Sequence, residues 1–283
     1  MDIRLIDGMR EVAAAYDGVI LDLWGVVHDG VAPFPGVLDC MARLRAAGKP
    51  VVLLSNAPRR ADDVARRIAA IGVPADAYDG VMSSGEEAWQ CLRRRAEPFY
   101  AGLGRNCLHI CSDRDLEIRE GLGLRYVERP AEADFILNTG PARWEDTLAD
   151  YDAVLRDCRA RDLPMVCANP DLVVMHRGKP ALCAGALAAH YQELGGTVRW
   201  HGKPHPSVYE SCLRLIGIAD RRRLVAVGDS LRTDIAGAAA AGIDSILVTG
   251  GIHAEEFADP ARLAAALDEA GLAPVAVARR FVW

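Results

Sequence analysis

Short apolar runs alternate with amphipathic segments along this chain, and the alternation predicts strands and helices in turn. Residues 18–23 read as a strand, 36–47 as a helix closed by Gly48, 50–54 as a second strand and 59–71 as a helix closed by Gly72. The strands are not alternately polar: VILDL and VVLL are almost continuously apolar, as strands must be when helices cover both faces of a parallel sheet. The same grammar returns late in the chain, with a strand at 224–227, a helix at 233–241 ending at Gly242, a strand at 245–248 and a last strand at 274–278. The expected fold class is α/β, a doubly wound parallel sheet.

Between these blocks lie about a hundred residues with element candidates of their own at 106–111, 133–138, 144–161 and 164–168. They are expected to form an inserted α/β domain spanning 97–196, which leaves 1–96 and 197–283 as one discontinuous core domain. The turn-prone pairs Glu97-Pro98 and Gly195-Gly196 mark the junctions.

Composition narrows the picture. A chain of 283 residues, 51% of them apolar, supports a sizeable core. Its formal charge of −6 speaks against a nucleic-acid partner, and Arg93-Arg94-Arg95 and Arg221-Arg222-Arg223 fit solvated helix ends. No stretch nears the roughly 18 apolar residues of a membrane span, and the start MDIRLIDGMR lacks a signal-peptide pattern, so a cytoplasmic protein without a membrane partner is expected. The eight cysteines form no C-x-x-C pair and read as reduced core thiols.

Four segments place a polar or charged residue just after an apolar strand or on a glycine turn. They are Asp22, Ser55-Asn56, Lys203 in Gly202-Lys203-Pro204, and Gly228-Asp229-Ser230 running on to Asp234. The carboxyl ends of parallel strands open on one crevice, so these groups should converge there. Three carboxylates, a lysine and a hydroxyl suit a magnesium ion and a phosphoryl group, because oxygen ligands hold a hard cation while lysine and N–H groups bind phosphate oxygens. Each segment alone is also ordinary turn or cap chemistry. No G-x-G-x-x-G follows the first strand, which speaks against a dinucleotide site.

In this order the motifs resemble the haloacid dehalogenase (HAD) superfamily. Within it the chain resembles the class IIA branch, which is related to nucleotide- and sugar-phosphate phosphatases and carries an α/β cap between its second and third motifs. Ala168-Asn169-Pro170-Asp171, Gly185-Ala186 and the GKP followed by Ser207-Val208-Tyr209 support that branch. The resemblance implies a hydrolase of small phosphorylated metabolites with Mg2+ as cofactor. Asp22 would be the nucleophile, Ser55 and Asn56 phosphoryl contacts, and Lys203 both a phosphate ligand and the group that orients Asp22. Asp22, Asp229, Asp234 and the backbone carbonyl of Trp24 would hold the metal. By analogy with the branch, a homodimer paired through the caps is expected.

One position departs from the family pattern. The residue two after the nucleophile is usually an Asp that protonates the leaving oxygen, and here it is Trp24, whose indole N–H has no useful acid–base chemistry. That help is typically worth about 10²–10⁴ in rate. Three readings stay open: a phosphatase with weak or atypical proton transfer, a phosphate-ligand binding or regulatory protein, and a dehalogenase-like hydrolase of C–X bonds. The retained Asp229 and Asp234 argue against the last. His28 and Asp29 are candidate substitutes for the missing acid, although Asp29-Gly30 is also a frequent turn dipeptide. In the cap, Asn169 and Asp171 are candidate substrate contacts, with Arg143 and Trp144 behind them; N-P-D is turn chemistry in its own right. His109, His190 and His201 lie among apolar residues and read as structural, while His205 is left open.

Overall fold

The computed structural model describes residues 3–251, 257 and 259–283, and the chain divides into two compact units. One comprises Met1–Ser55, Asp62–Met82 and Lys203–Trp283, and the other Asn56–Ala61 and Ser83–Gly202.

The first unit is built on a seven-stranded sheet in the order Leu5–Ile6, Ala276–Ala278, Asp244–Val248, Leu224–Gly228, Gly18–Asp22, Val51–Ser55 and Gly80–Ser83. The pairs from Leu5–Ile6 through Val51–Ser55 are all parallel. Helices bury both faces. Ile20, Val52, Leu54, Leu224 and Ala226 pack on Val208, Tyr209 and Cys212 of the helix Pro206–Ile216, while Leu247 and Val277 pack on Leu263 and Leu267 of Pro260–Ala270. This two-sided cover explains strands that are apolar at successive positions.

Register sets the functional edge. Leu21 pairs with Val227 and Asp22 with Leu54, so Asp22, Ser55 and the Gly228-Asp229 step leave the sheet at the same end. The expected helix at 233–241 differs. The chain first makes a wide π-type turn over Leu231–Ile235, and only Ala236–Ala240 is α-helical. The cause is polar: Ser230 caps the turn through the Thr233 N–H, and Asp234 folds back to accept the Ser230 N–H.

The second unit carries a five-stranded sheet ordered Val198–Trp200, Met165–Cys167, Phe135–Asn138, Asn106–Ile110 and Arg125–Val127, with every pair parallel. Its strands also bury both faces. Along Phe135–Asn138, Ile136 joins Leu155, Leu187 and Tyr191 on one side, whereas Phe135 and Leu137 join Ala88, Leu92 and Tyr100 on the other. The expected junctions at 97 and 196 fall inside this unit. The helix Ser84–Arg94 packs Ala88 and Leu92 on this second sheet, and Val198–Trp200 pairs with Met165–Cys167. The expected helix at 144–161 begins instead at Leu148, after a capping box in which Thr147 and Asp150 satisfy each other's backbone N–H. An antiparallel hairpin of Val173–His176 and Lys179–Leu182, joined by the two-residue turn Arg177-Gly178, had no counterpart in the apolar pattern.

Candidate active site

The strand ends of the first unit bring Asp22, Asp229 and Asp234 together. All three are buried, and each offers a carboxylate oxygen within 4.8 Å of the others'. Lys203 stands among them: its Nζ donates to Asp22 Oδ1 and, at 2.7 Å, to Asp234 Oδ1. Such closeness needs a residue without a side chain at Gly228, where a Cβ would lie 2.2 Å from the Cβ and Cγ of Asp234. Tyr209 secures the same turn by donating from its hydroxyl to the Asp234 carbonyl oxygen at 3.1 Å.

Charge in this cluster is unequal. Burial, together with the neighbouring Asp234 and Asp229 carboxylates, pushes Asp22 well above the usual carboxylate range, with Lys203 pulling the other way. For Lys203 burial disfavours the charge, but Asp22 and Asp234 overcome it and hold the ammonium charged well beyond the ordinary lysine value. One ammonium faces three carboxylates, so the donor set fits a divalent cation, which would offset the remaining negative charge. A Cβ on Gly251 would meet the Gly25 carbonyl at 2.2 Å and Asp229 Oδ2 at 2.9 Å, so the backbone just past Trp24 lies beside Asp229.

After Asp22 the chain turns through residues 23–34. Val27 and His28 return their N–H groups to the Leu23 carbonyl at 2.9 and 3.1 Å, and Phe34 N–H reaches the Val27 carbonyl at 2.9 Å. Trp24 is 39% exposed, and the far edge of its indole rests on Gly30, whose φ of +91° and lack of a side chain leave room for the ring. Both candidate substitutes for the acid are engaged in holding this turn. His28 Nδ1 accepts the Gly30 N–H at 3.0 Å, and burial lowers the histidine's affinity for a proton. Asp29 Oδ1 accepts the Ala32 and Val31 N–H groups at 2.9 and 2.8 Å, which holds that carboxyl below its ordinary value.

Ser55 ends its strand partly exposed. Asn56 begins the short segment that belongs to the second unit, where its Nδ2 donates to Asp171 Oδ1 at 2.9 Å and its Oδ1 accepts from Ser84 Oγ at 3.3 Å. Asn169 closes an Asx turn by accepting the Asp171 N–H on its side-chain oxygen at 2.9 Å. Asn56, Asn169 and Asp171, named separately from sequence, are therefore neighbours within one polar knot. Ser84 completes it. The Ser83-Ser84 pair at the end of Gly80–Ser83 carries the same strand-end signal as the other motifs, and a reading by motif omits it. Trp144 and His176 stack 4.0 Å apart, and Arg143 pairs with Asp146 at 2.9 Å. His205 flanks the start of the helix Pro206–Ile216.

The haloacid dehalogenase-like hydrolase model matches residues 19–125, and a HAD-hydrolase-like model matches 200–277. The chain is 30% identical to the ribonucleotide monophosphatase NagD of Escherichia coli (strain K12), an alignment covering 85% of this chain and 90% of that one. It is also 30% identical to chronophin of Homo sapiens, over 88% and 86%. A haloacid dehalogenase-like hydrolase from Brucella suis 1330 superposes with a TM-score of 0.85 at 34% identity, covering 98% of this chain and all of that one. The chain belongs to the haloacid dehalogenase-like hydrolases, in their class IIA branch of phosphatases.

Proposed function

We propose that this protein is a Mg2+-dependent hydrolase of small phosphorylated metabolites (phosphomonoesters, sugar phosphates or nucleotides) that works through an aspartyl-phosphate on Asp22. The carrying observation is the contact of one buried lysine with both Asp22 and Asp234 inside a three-carboxylate cluster. Asp22, Asp229, Asp234 and the Trp24 carbonyl would hold the ion. When bound it supplies charge neutralisation at the phosphoryl oxygens and favours the ionised form of Asp22.

The residues of the chain do the rest. Asp22 attacks phosphorus as the bond to the leaving oxygen breaks, and water then attacks the same phosphorus and restores the carboxylate. Lys203, kept charged by its two carboxylates, orients Asp22 and offsets charge on the transferring group. Ser55, at the same strand end, and Asn56 after it are assigned to the phosphoryl oxygens. Relatives named ribonucleotide monophosphatase and D-glycerol 3-phosphate phosphatase support a small phosphorylated substrate.

The test is phosphate release from a broad panel of phosphomonoesters with Mg2+ and with EDTA. Release that requires Mg2+ and disappears in Asp229→Asn is expected. A second reading draws on Trp24, whose side chain removes the usual proton donor: binding of phosphorylated metabolites with no release from any ester would make the protein a binding or regulatory one.

A further inference from the structure

We infer that this site selects phosphate esters whose leaving oxygen departs as a stable anion, as aryl and enol phosphates do, over alkyl esters such as sugar phosphates. The inference rests on the phosphatase reading and concerns the proton that cleavage of an alkyl ester needs. Breaking the P–O bond leaves the electron pair on the leaving oxygen, and an alkoxide must receive a proton as it forms whereas a phenolate or enolate need not.

The ionisable or N–H-bearing side chains on the turn after Asp22, and Lys203 and Tyr209 beside the cluster, are poor sources of that proton. Trp24 has an indole N–H that does not ionise. His28 presents Nδ1 as an acceptor to the Gly30 N–H at 3.0 Å, which leaves its proton on Nε2 of a neutral imidazole, a far weaker acid than an imidazolium. Asp29 is locked as a carboxylate by two backbone N–H groups. Lys203 already directs its Nζ at two carboxylates, Asp22 and Asp234. Tyr209 already donates to the Asp234 carbonyl. What the turn offers instead is apolar: the indole of Trp24, seated on Gly30 and 39% exposed, two residues beyond the nucleophile.

The chemistry balances without a proton donor for such esters. Asp22 Oδ forms a bond to phosphorus, the aryloxide or enolate leaves with the electron pair, and in the second step water adds to phosphorus, the Asp22 oxygen departs as carboxylate, and the water's protons go to phosphate and solvent.

The experiment is a leaving-group series with saturating Mg2+, from nitrophenyl through phenyl to alkyl phosphates, comparing kcat/KM with leaving-group acidity. The wild type is expected to lose at least about 100-fold from nitrophenyl to alkyl esters, the lower end of what general acid catalysis is worth. Trp24→Asp is expected to flatten that dependence, Trp24→Phe to keep it, and His28→Asn to leave its slope unaltered. A wild-type line that is flat while phosphate is still released overturns the inference and spares the phosphatase reading. A steepened slope in His28→Asn identifies His28 as the donor and also overturns it. Release from no ester at all removes the phosphatase reading, and the inference with it. Should Trp24→Asp fail to fold, the wild-type and Trp24→Phe slopes still decide.

Discussion

Two buried ionisable clusters end on adjacent residues of the chain, Gly202 and Lys203, and they are built to opposite rules. In the first unit, three carboxylates crowd around a single ammonium. In the second, Glu87 accepts the Gly202 N–H at 3.0 Å and lies 3.1 Å from His201 Nδ1, while His201 Nε2 meets the Tyr100 hydroxyl. The side chains of Tyr100, Glu87 and His201 in this second cluster are all buried. Among the described residues, the first cluster gathers three carboxylates within 4.8 Å of one another around the Lys203 ammonium. Crowded buried carboxylates suit a bound cation, whereas a paired carboxylate and histidine hold a backbone in place, so the proposed function puts the reaction at the first cluster and gives the second a scaffolding part.

The largest expected effect breaks the two apart by activity. Asp22→Asn removes the proposed nucleophile and should lower phosphate release on the order of 10⁴-fold or more. In metal-free buffer its urea midpoint should stay unchanged or rise, because the amide sits beside Asp229 and Asp234 without needing a proton or a cation. His201→Phe should do the reverse to stability. It leaves Glu87 and the Tyr100 hydroxyl buried with a partner removed, a loss of about 3 kcal/mol in urea unfolding. Glu87→Gln should lose less, since an amide oxygen can still accept the Gly202 N–H. If Asp22→Asn proved as destabilising as His201→Phe, the division between reaction centre and scaffold would collapse.

How much of this could be read from sequence depends on how local each signal is. Asp22, Ser55 and Asp229 were legible because each follows an apolar run, and parallel register alone carries them to one edge. Lys203 was legible only as a partner for them, through the order of the motifs. The domain junctions were not legible: an amphipathic helix such as Ser84–Arg94 reads the same whichever sheet Ala88 and Leu92 pack against. The three-residue strands Arg125–Val127 and Val198–Trp200 are too short to show a period. The turn Leu231–Ile235 carries good helix formers, yet the Ser230 and Asp234 side chains compete for the backbone N–H groups and widen it. The engagement of His28 and Asp29 in their own turn follows from hydrogen bonds that the motif DLWGVVHDG does not spell out.

The smallest expected effect is also the sharpest version of the comparison, because the two units should respond to pH with opposite sign. His109 in the second unit lies between Arg119, whose Nε donates to its Nδ1 at 2.9 Å, and the Thr139 hydroxyl at 3.1 Å. Burial, with Arg119 adding to it, lowers this histidine to about 3. An unfolded histidine titrates near 6.5, so as pH falls the unfolded chain takes up the proton first. His109 therefore contributes its full stability above about pH 6.5 and loses it progressively down to about 3, roughly 1 kcal/mol by pH 6. His109→Asn keeps an acceptor for Arg119 and should remove that loss, measured as urea unfolding at pH 7 and 6. Asp22 works the other way. Its raised value in the metal-free protein means that the folded state holds a proton the unfolded chain releases, so its contribution is present at low pH and lost as pH rises from the ordinary carboxylate range towards the raised value. Saturating Mg2+ should abolish the loss on the alkaline side and leave the His109 slope untouched, because Asp22 belongs to the three-carboxylate cluster and His109 does not.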